Sequence, residues 1–298
     1  PSSAASDVYK RQVQEEVIHS NQVPLSEFVD HFDTFANRSF PSHWHHELEI
    51  QLIISGRAKY HINGVDYTVG EGSAIYIAPE TVHMMQGEVP GTVGYDIVLL
   101  PQFLVHLLQE IHCDKHALPL TERRPDAFVI TPDRKESHGI LEAMRKMYYM
   151  ENSYPAYDIF LVEQFLGIWR NLLSLFPASR QGGADAGESL RDQRMKAMLS
   201  YIWEHYTQPI TIQDIAASAN ISKSECFRCF SELSKTTPIE YINQFRLLQA
   251  AQALTSTNKS ISDICYMTGF NNTSYFTKKF REQYGMTPKA YRAQNQTK

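Results

Sequence analysis

The chain is 298 residues long with a net charge of −5, 43% of it apolar and 20% charged, a balance that excludes disordered and collagen-like classes and leaves room for two domains, each with its own core. Its longest apolar tract, residues 159–176, is interrupted by Glu163, Gln164, Arg170 and Asn171, which marks an amphipathic helix rather than a membrane span of about 20 apolar residues. Four cysteines, Cys113, Cys226, Cys229 and Cys265, make no disulfide framework, and without a basic-then-apolar leader a cytoplasmic protein with no membrane partner is expected.

The charge is unevenly spread. From Leu190 to the end, 14 Lys and Arg stand against 8 Asp and Glu, a balance of +6, whereas the rest of the chain has 14 against 25, a balance of −11. A basic module joined to an acidic one predicts that only the C-terminal part meets a polyanion.

Residues 1–12 include Asp7-Val8-Tyr9-Lys10-Arg11-Gln12, which reads as the translation of a sequencing-library transposon end, so this segment is expected to be non-native. Strand signals fill the stretch from about Leu25 to Pro101. Leu48–Ile54 is an apolar β-rich run, and Ala58–Ile62 and Val65–Val69 flank Asn63-Gly64, a strong hairpin signal. Gly70-Glu71-Gly72 turns the chain into Ser73–Ile77, and Val93–Leu100 closes a series of short strands, as a small antiparallel barrel requires.

Within this series lie His43, Trp44, His45, His46, Glu47 and Glu49, with His83 further on. In an extended chain, residues 43, 45 and 49 share one face, and two imidazoles and a carboxylate facing a third imidazole are what a divalent metal needs. The pattern resembles the cupin superfamily: His43, His45, Glu49 and Gly56 fit its first motif, and Gly72, Pro79 and His83 fit its second. Glu80-Thr81 departs from the usual glycine after the proline, and Gly87 stands where many metal cupins carry Asn. The tetrad reads either as metal ligands or as pocket walls for a polar effector, with Trp44 available to stack on a sugar face. His46 and Glu47 are expected to be solvated.

Helical periodicity follows. Phe103, Leu104, Leu107, Leu108 and Ile111 predict a short helix over the barrel mouth. Ile140, Met144, Met147 and Tyr148 mark a helix from about Asp133 to Glu151, and another spans about Ala156 to Phe176. This antiparallel pair either mates with a second copy or packs on its own barrel. Residues 177–189, small, polar and glycine-bearing, read as a linker between a sensor at 25–176 and a reader at 190–298.

The reader is written twice. Residues 210–242 align with 260–292: Asp214 and Ile215 meet Asp263 and Ile264, and Arg228, Phe230, Thr237, Pro238 and Tyr241 meet Lys278, Phe280, Thr287, Pro288 and Tyr291. Each copy reads as helix, turn, helix. Thr211 with Asp214, Ser260 with Asp263, and Ser222 with Glu225 have capping-box spacing. Each second helix is a candidate for a DNA major groove, presenting Ser222, Lys223, Ser224, Phe227 and Arg228, then Asn272, Thr273, Ser274, Tyr275, Lys278 and Lys279. Cys226 and Cys229 fall on the apolar side and read as core, not as a metal pair.

Ile264, Gly269-Phe270, Tyr275-Phe276, Phe280, Tyr284-Gly285, Thr287-Pro288 and Tyr291-Arg292 resemble the DNA-binding domain of the AraC/XylS family of transcription regulators. The first copy departs from that pattern at Asn220-Ile221, Lys235-Thr236, Cys226 and Cys229. The resemblance implies an α+β chain with a cupin-like barrel followed by an all-α domain carrying two helix-turn-helix motifs. It further implies double-stranded DNA, a small-molecule effector such as a sugar, RNA polymerase and a second copy as partners, and activation more often than repression. Two other readings stay open: a metal-dependent cupin enzyme with a DNA-binding appendage, and a DNA-binding protein whose barrel senses nothing.

Overall fold

The computed structural model describes residues 24–117, 125–151, 155–176 and 190–296. The segment at 1–12 and the linker at 177–189 lie outside these residues. Among the described residues nine strands build the N-terminal part: β1 (Leu25–His31), β2 (Ser39–His43), β3 (Leu48–Ser55), β4 (Arg57–Ile62), β5 (Val65–Gly70), β6 (Ala74–Ile77), β7 (His83–Gly87), β8 (Val93–Leu99) and β9 (Ala127–Ile130). They form two antiparallel sheets, β1-β8-β3-β6-β9 and β2-β7-β4-β5, the strand order of a jelly roll. The expected barrel is therefore an open sandwich: among the described residues the edge strands of one sheet form no ladder with those of the other. β9, four residues long, is too short to announce itself by alternation. The β4–β5 hairpin is as expected, with Asn63 and Gly64 at φ 44° and 85°, the left-handed pair a tight two-residue turn demands.

Alternation along the strands divides apolar from polar. Leu48, Ile50, Leu52, Tyr76 and Ile97 point outward from the first sheet and are covered by α1 (Pro101–Glu110), α2 (His138–Tyr149) and α3 (Tyr157–Leu175) through Leu104, Met144, Phe165 and Trp169. So α1 lies on the outer face of a sheet, not over the mouth of a barrel, because Leu104 and Leu108 seek that apolar face. The intervening residues Glu49 and Gln51 point inward; the Gln51 amide comes within 3.7 Å of Met85 Sδ on the opposite sheet.

The C-terminal part is helical: α4 (Leu190–His205), α5 (Ile212–Ser218), α6 (Lys223–Ser234), α7 (Pro238–Ser256), α8 (Ile261–Met267), α9 (Thr273–Tyr284) and α10 (Pro288–Gln296). Complete capping boxes start α5 and α8, as Thr211–Asp214 and Ser260–Asp263 foretell, and a third at Thr237–Glu240 starts α7. Among the described residues no helix is long and apolar enough to cross a membrane.

The cores do not follow the sequence division. One apolar cluster runs from Phe40, Tyr60 and Met85 in the sandwich, through Trp44, into Ile202, Cys226, Phe230 and Tyr241 of the first helix-turn-helix. The second helix-turn-helix has a separate core around Leu254, Ile264, Phe276 and Phe280.

Candidate functional sites: two reading helices and a buried tetrad

The candidate reading helices begin where the sequence predicts them. Ser222 Oγ accepts from the Glu225 N–H at 3.2 Å, and Asn272 Oδ1 accepts from the Tyr275 N–H at 2.8 Å. The expected box at Ser222 is only half made, because the Glu225 carboxylate accepts instead from Arg228 at 2.7 Å and Arg194 at 3.3 Å. On α6 and its cap, Ser222, Lys223, Ser224, Phe227 and Arg228 are all exposed. On the second copy Asn272, Ser274, Tyr275 and Lys278 are exposed, whereas Thr273 and Lys279 are half-buried, and Lys279 donates to Glu282 at 2.8 Å. Thr277 and Arg281, which the sequence reading passed over, line one shallow groove with Thr273, Ser274 and Lys278. Thr277 lies 50 positions after Phe227, so the repeat offset was the signal that would have found it.

Cys226 and Cys229 are buried, and burial pushes the Cys226 thiol up to about 11, so these are inert core sulfurs.

Inside the sandwich His43, His45, Glu49 and His83 converge, all buried, with one ligand atom from each lying within 4.8 Å of the others. His43 and His83 sit at the paired ends of β2 and β7, and Glu49 comes from β3 in the facing sheet. Each imidazole is held by Nδ1 against a backbone carbonyl: His43 to Pro41 at 3.0 Å, His45 to Glu47 at 3.1 Å and His83 to Thr81 at 2.8 Å. With Nδ1 donating, the Nε2 atoms turn toward Glu49 Oε2, at 2.9 Å from His45 and 3.1 Å from His83. Burial, then the neighbouring imidazoles of His83 and His45, holds His43 well below the usual histidine range. Burial pushes Glu49 upward, but His83 and His45 outweigh it and keep the carboxyl well below its usual range. His83 is raised: burial opposes its charge and the Glu49 carboxylate prevails. Three oriented imidazoles and an ionised carboxylate fit a borderline divalent cation, and the carbonyl partners are the outer-shell support that metal-binding histidines use.

The polar interior continues past the tetrad. Gln51 donates to Asp30 Oδ2 at 2.8 Å and accepts from the Tyr60 hydroxyl. Burial and then Glu49 push Asp30 up to about 7, and burial, Glu49 and Asp30 together raise Asp96 well above the carboxylate range. Sequence reading missed these residues, although Gln51 follows Glu49 by the strand period.

Trp44 is not in this interior. Its ring stacks at 6.3 Å on Trp203 of α4, with Lys196 Nζ 5.0 Å from its centroid, so it faces the helical part. Glu47 is buried rather than solvated, its carboxylate 3.6 Å from His45 Nδ1, while His46 is exposed as expected. Residues 44–47 lie between β2 and β3, where the chain turns, which carries Trp44 outward onto α4 and Glu47 inward beside His45.

Two family models match the chain: an AraC-like ligand binding domain over residues 28–166 and a helix-turn-helix domain over residues 215–294. The chain belongs to the AraC family of transcriptional regulators. It is 28% identical over 276 residues to an uncharacterized HTH-type transcriptional regulator, YdeC, of Bacillus subtilis, covering 92% of this chain and 93% of that protein. It is 23% identical over 257 residues to the HTH-type transcriptional activator RhaS of Citrobacter koseri, covering 85% and 88%. A crystal structure of apo ToxT from Vibrio cholerae shares the two-part fold at TM-score 0.50 and 16% identity, covering 93% of this chain and all of that one. The AraC-family chain is thus a DNA-binding transcriptional regulator with a ligand-binding domain, and its DNA partner is double-stranded.

Proposed function

We propose that this AraC-family regulator is an activator controlled by a small hydroxyl-rich effector, of the carbohydrate class, bound in the sandwich interior. The observation that carries the reading is the buried run of polar groups from His43, His45, Glu49 and His83 to Gln51, Asp30 and Asp96, inside a fold that otherwise packs apolar side chains inward. Buried carboxyls and imidazoles match a ligand rich in hydroxyls, which both donates and accepts. A divalent cation bound by the tetrad would supply positive charge to anchor effector oxygens there. The relatives named as activators support activation, and hence contact with RNA polymerase.

DNA is read by Ser222, Lys223, Ser224, Phe227 and Arg228 in one head and by Asn272, Thr273, Ser274, Tyr275, Lys278 and Lys279 in the other, with Thr277 added. Arg228 and Lys278 occupy matching positions on two exposed helix faces, which supports guanine or phosphate contacts. A second copy mates through the α2–α3 surface, where Tyr149 and Ile159 remain 75% and 67% exposed.

A thermal-shift screen of the full chain against monosaccharides, fatty acids and amines tests the effector class. A rise in melting temperature confined to sugars is expected; a rise with fatty acids or amines and none with any sugar would overturn it.

A further inference from the structure

The segment Ser42–His45 has two faces. Its inner face carries His43 and His45 of the tetrad. Its outer face carries Trp44, stacked on Trp203, and the Ser42 carbonyl, which accepts from the Tyr241 hydroxyl at 2.6 Å. Trp203 in turn donates through Nε1 to that same hydroxyl at 3.0 Å, so α4 and α7 grip the segment together. These two helices flank α6, the first candidate reading helix. His61 on β4 also contacts the Glu232 carbonyl at the far end of α6, at 2.7 Å, leaving the reading turn at Ser222–Ser224 exposed.

A second contact uses the position where the chain departs from the cupin pattern. Glu80 replaces the usual glycine yet keeps glycine's left-handed backbone, at φ 59°. Its N–H donates to the His45 carbonyl at 2.8 Å, and its carboxylate lies 3.4 Å from Lys196 Nζ on α4. Lys196 also lies over the Trp44 ring. A side chain that glycine lacks is thus used to reach the reader.

We propose that Ser42–His45, with Glu80, couples a divalent cation in the tetrad to the docking of the first reading head, making the cation a regulatory ligand of DNA reading. The inference rests on reading the tetrad as a cation site. Residues 43 and 45 cannot be fixed by a cation without fixing residues 42 and 44, because the backbone is shared. In the docked arrangement the four ligand atoms already lie within 4.8 Å of one another, so the cation binds that arrangement more tightly, and by linkage the dock tightens when the cation is bound. Coupling acts on the first head, whose core is continuous with the sandwich, rather than through the separate core of the second.

Zinc titration of the full-length protein by calorimetry, under chelator competition, tests this. Tyr241→Phe removes one hydroxyl that touches no tetrad atom, and the lost hydrogen bond predicts zinc binding weaker by about fivefold. Glu80→Gly, which the φ of 59° accommodates, is expected to weaken zinc in the same direction. Amide exchange in α6 and α7 should slow when zinc is added to wild type and slow less in both variants. Equal zinc affinity in wild type and both variants, with unchanged circular dichroism, overturns the coupling while the cation site stands. No zinc binding by wild type overturns the cation reading itself, and the proposal with it.

Discussion

The Tyr241 hydroxyl donates a 2.6 Å hydrogen bond to the Ser42 carbonyl, joining residues 199 positions apart in the chain. Neither end announces the pair. Tyr241 belongs to the apolar pattern of α7, and Ser42 to a short strand beside two histidines. The bond places the wall of the sandwich interior directly against the first helix-turn-helix, within the apolar cluster that the two parts share.

Removing a tetrad ligand should remove cation-linked stability. At a free zinc concentration about a hundredfold above its Kd, the wild-type protein should gain about 2.7 kcal/mol. His83→Ala and Glu49→Gln should lose that gain while keeping a cooperative melt. The comparison of melting temperatures with and without zinc measures it; an equal rise in all three proteins would place zinc elsewhere.

The first head carries a strained cap. Lys235 ends α6 at φ 52°, the left-handed conformation that Gly285 supplies at φ 72° in the second copy. A side chain pays a steric penalty there, so Lys235→Gly should raise stability by about 0.5–1 kcal/mol. Urea midpoints of the two proteins decide the matter, and a variant of lower midpoint would show that the lysine side chain holds more than the backbone loses.

Gly269 has no room for a methyl group. A Cβ there would lie 2.1 Å from the Tyr206 carbonyl oxygen and 2.7 Å from Arg246 Nε. Arg246 cannot easily retreat, because it donates to the carbonyls of Tyr206 and Gln208, each at 2.7 Å. Gly269→Ala should therefore cost about 3 kcal/mol or more and disorder the second head. Amide exchange confined to 257–296 should rise; protection equal to wild type would mean that the turn relaxes without loss.

Glu27 gives a pH signature outside the tetrad. Burial raises its pKa, against hydrogen bonds from Tyr95 and from Tyr157 at 2.8 Å. A carboxyl with a raised folded value contributes stability fully below its unfolded value of about 4.3, and loses it as pH rises through the folded value. Glu27→Gln lacks that titration. The stability difference between variant and wild type should move in favour of the variant from pH 4 to pH 8, as denaturant melts across that range would record. A constant difference would show that the folded and unfolded values coincide.

Much of this was legible because the governing interactions are local. Capping pairs such as Thr211–Asp214, the Asn63-Gly64 turn, and the 50-residue offset between Arg228 and Lys278 all act within a few residues or repeat by number. The tetrad was legible as a set of residues, though not by the alternation expected of one extended strand: the chain turns between β2 and β3, so His43 and Glu49 meet from facing sheets. What could not be read was the side of a surface that the other part would cover. Trp44 looked like a stacking platform for an effector and is instead the platform for Trp203. Glu47 looked solvated because nothing in its neighbourhood shows that the chain bends between β2 and β3. The open edges of the sandwich depend on pairings between distant strands, such as β3 with β8, which no short window contains.

One chain with two DNA readers of unequal regulation has a direct readout in the binding sites that the full-length protein selects from a randomised duplex library. Two recognition elements with centres about one helical turn, roughly 10 base pairs, apart are predicted. Arg228→Ala should erase one element and Lys278→Ala the other, each weakening binding by about 1–3 kcal/mol. A single element, insensitive to one of the two substitutions, would mean that only one helix-turn-helix reads DNA.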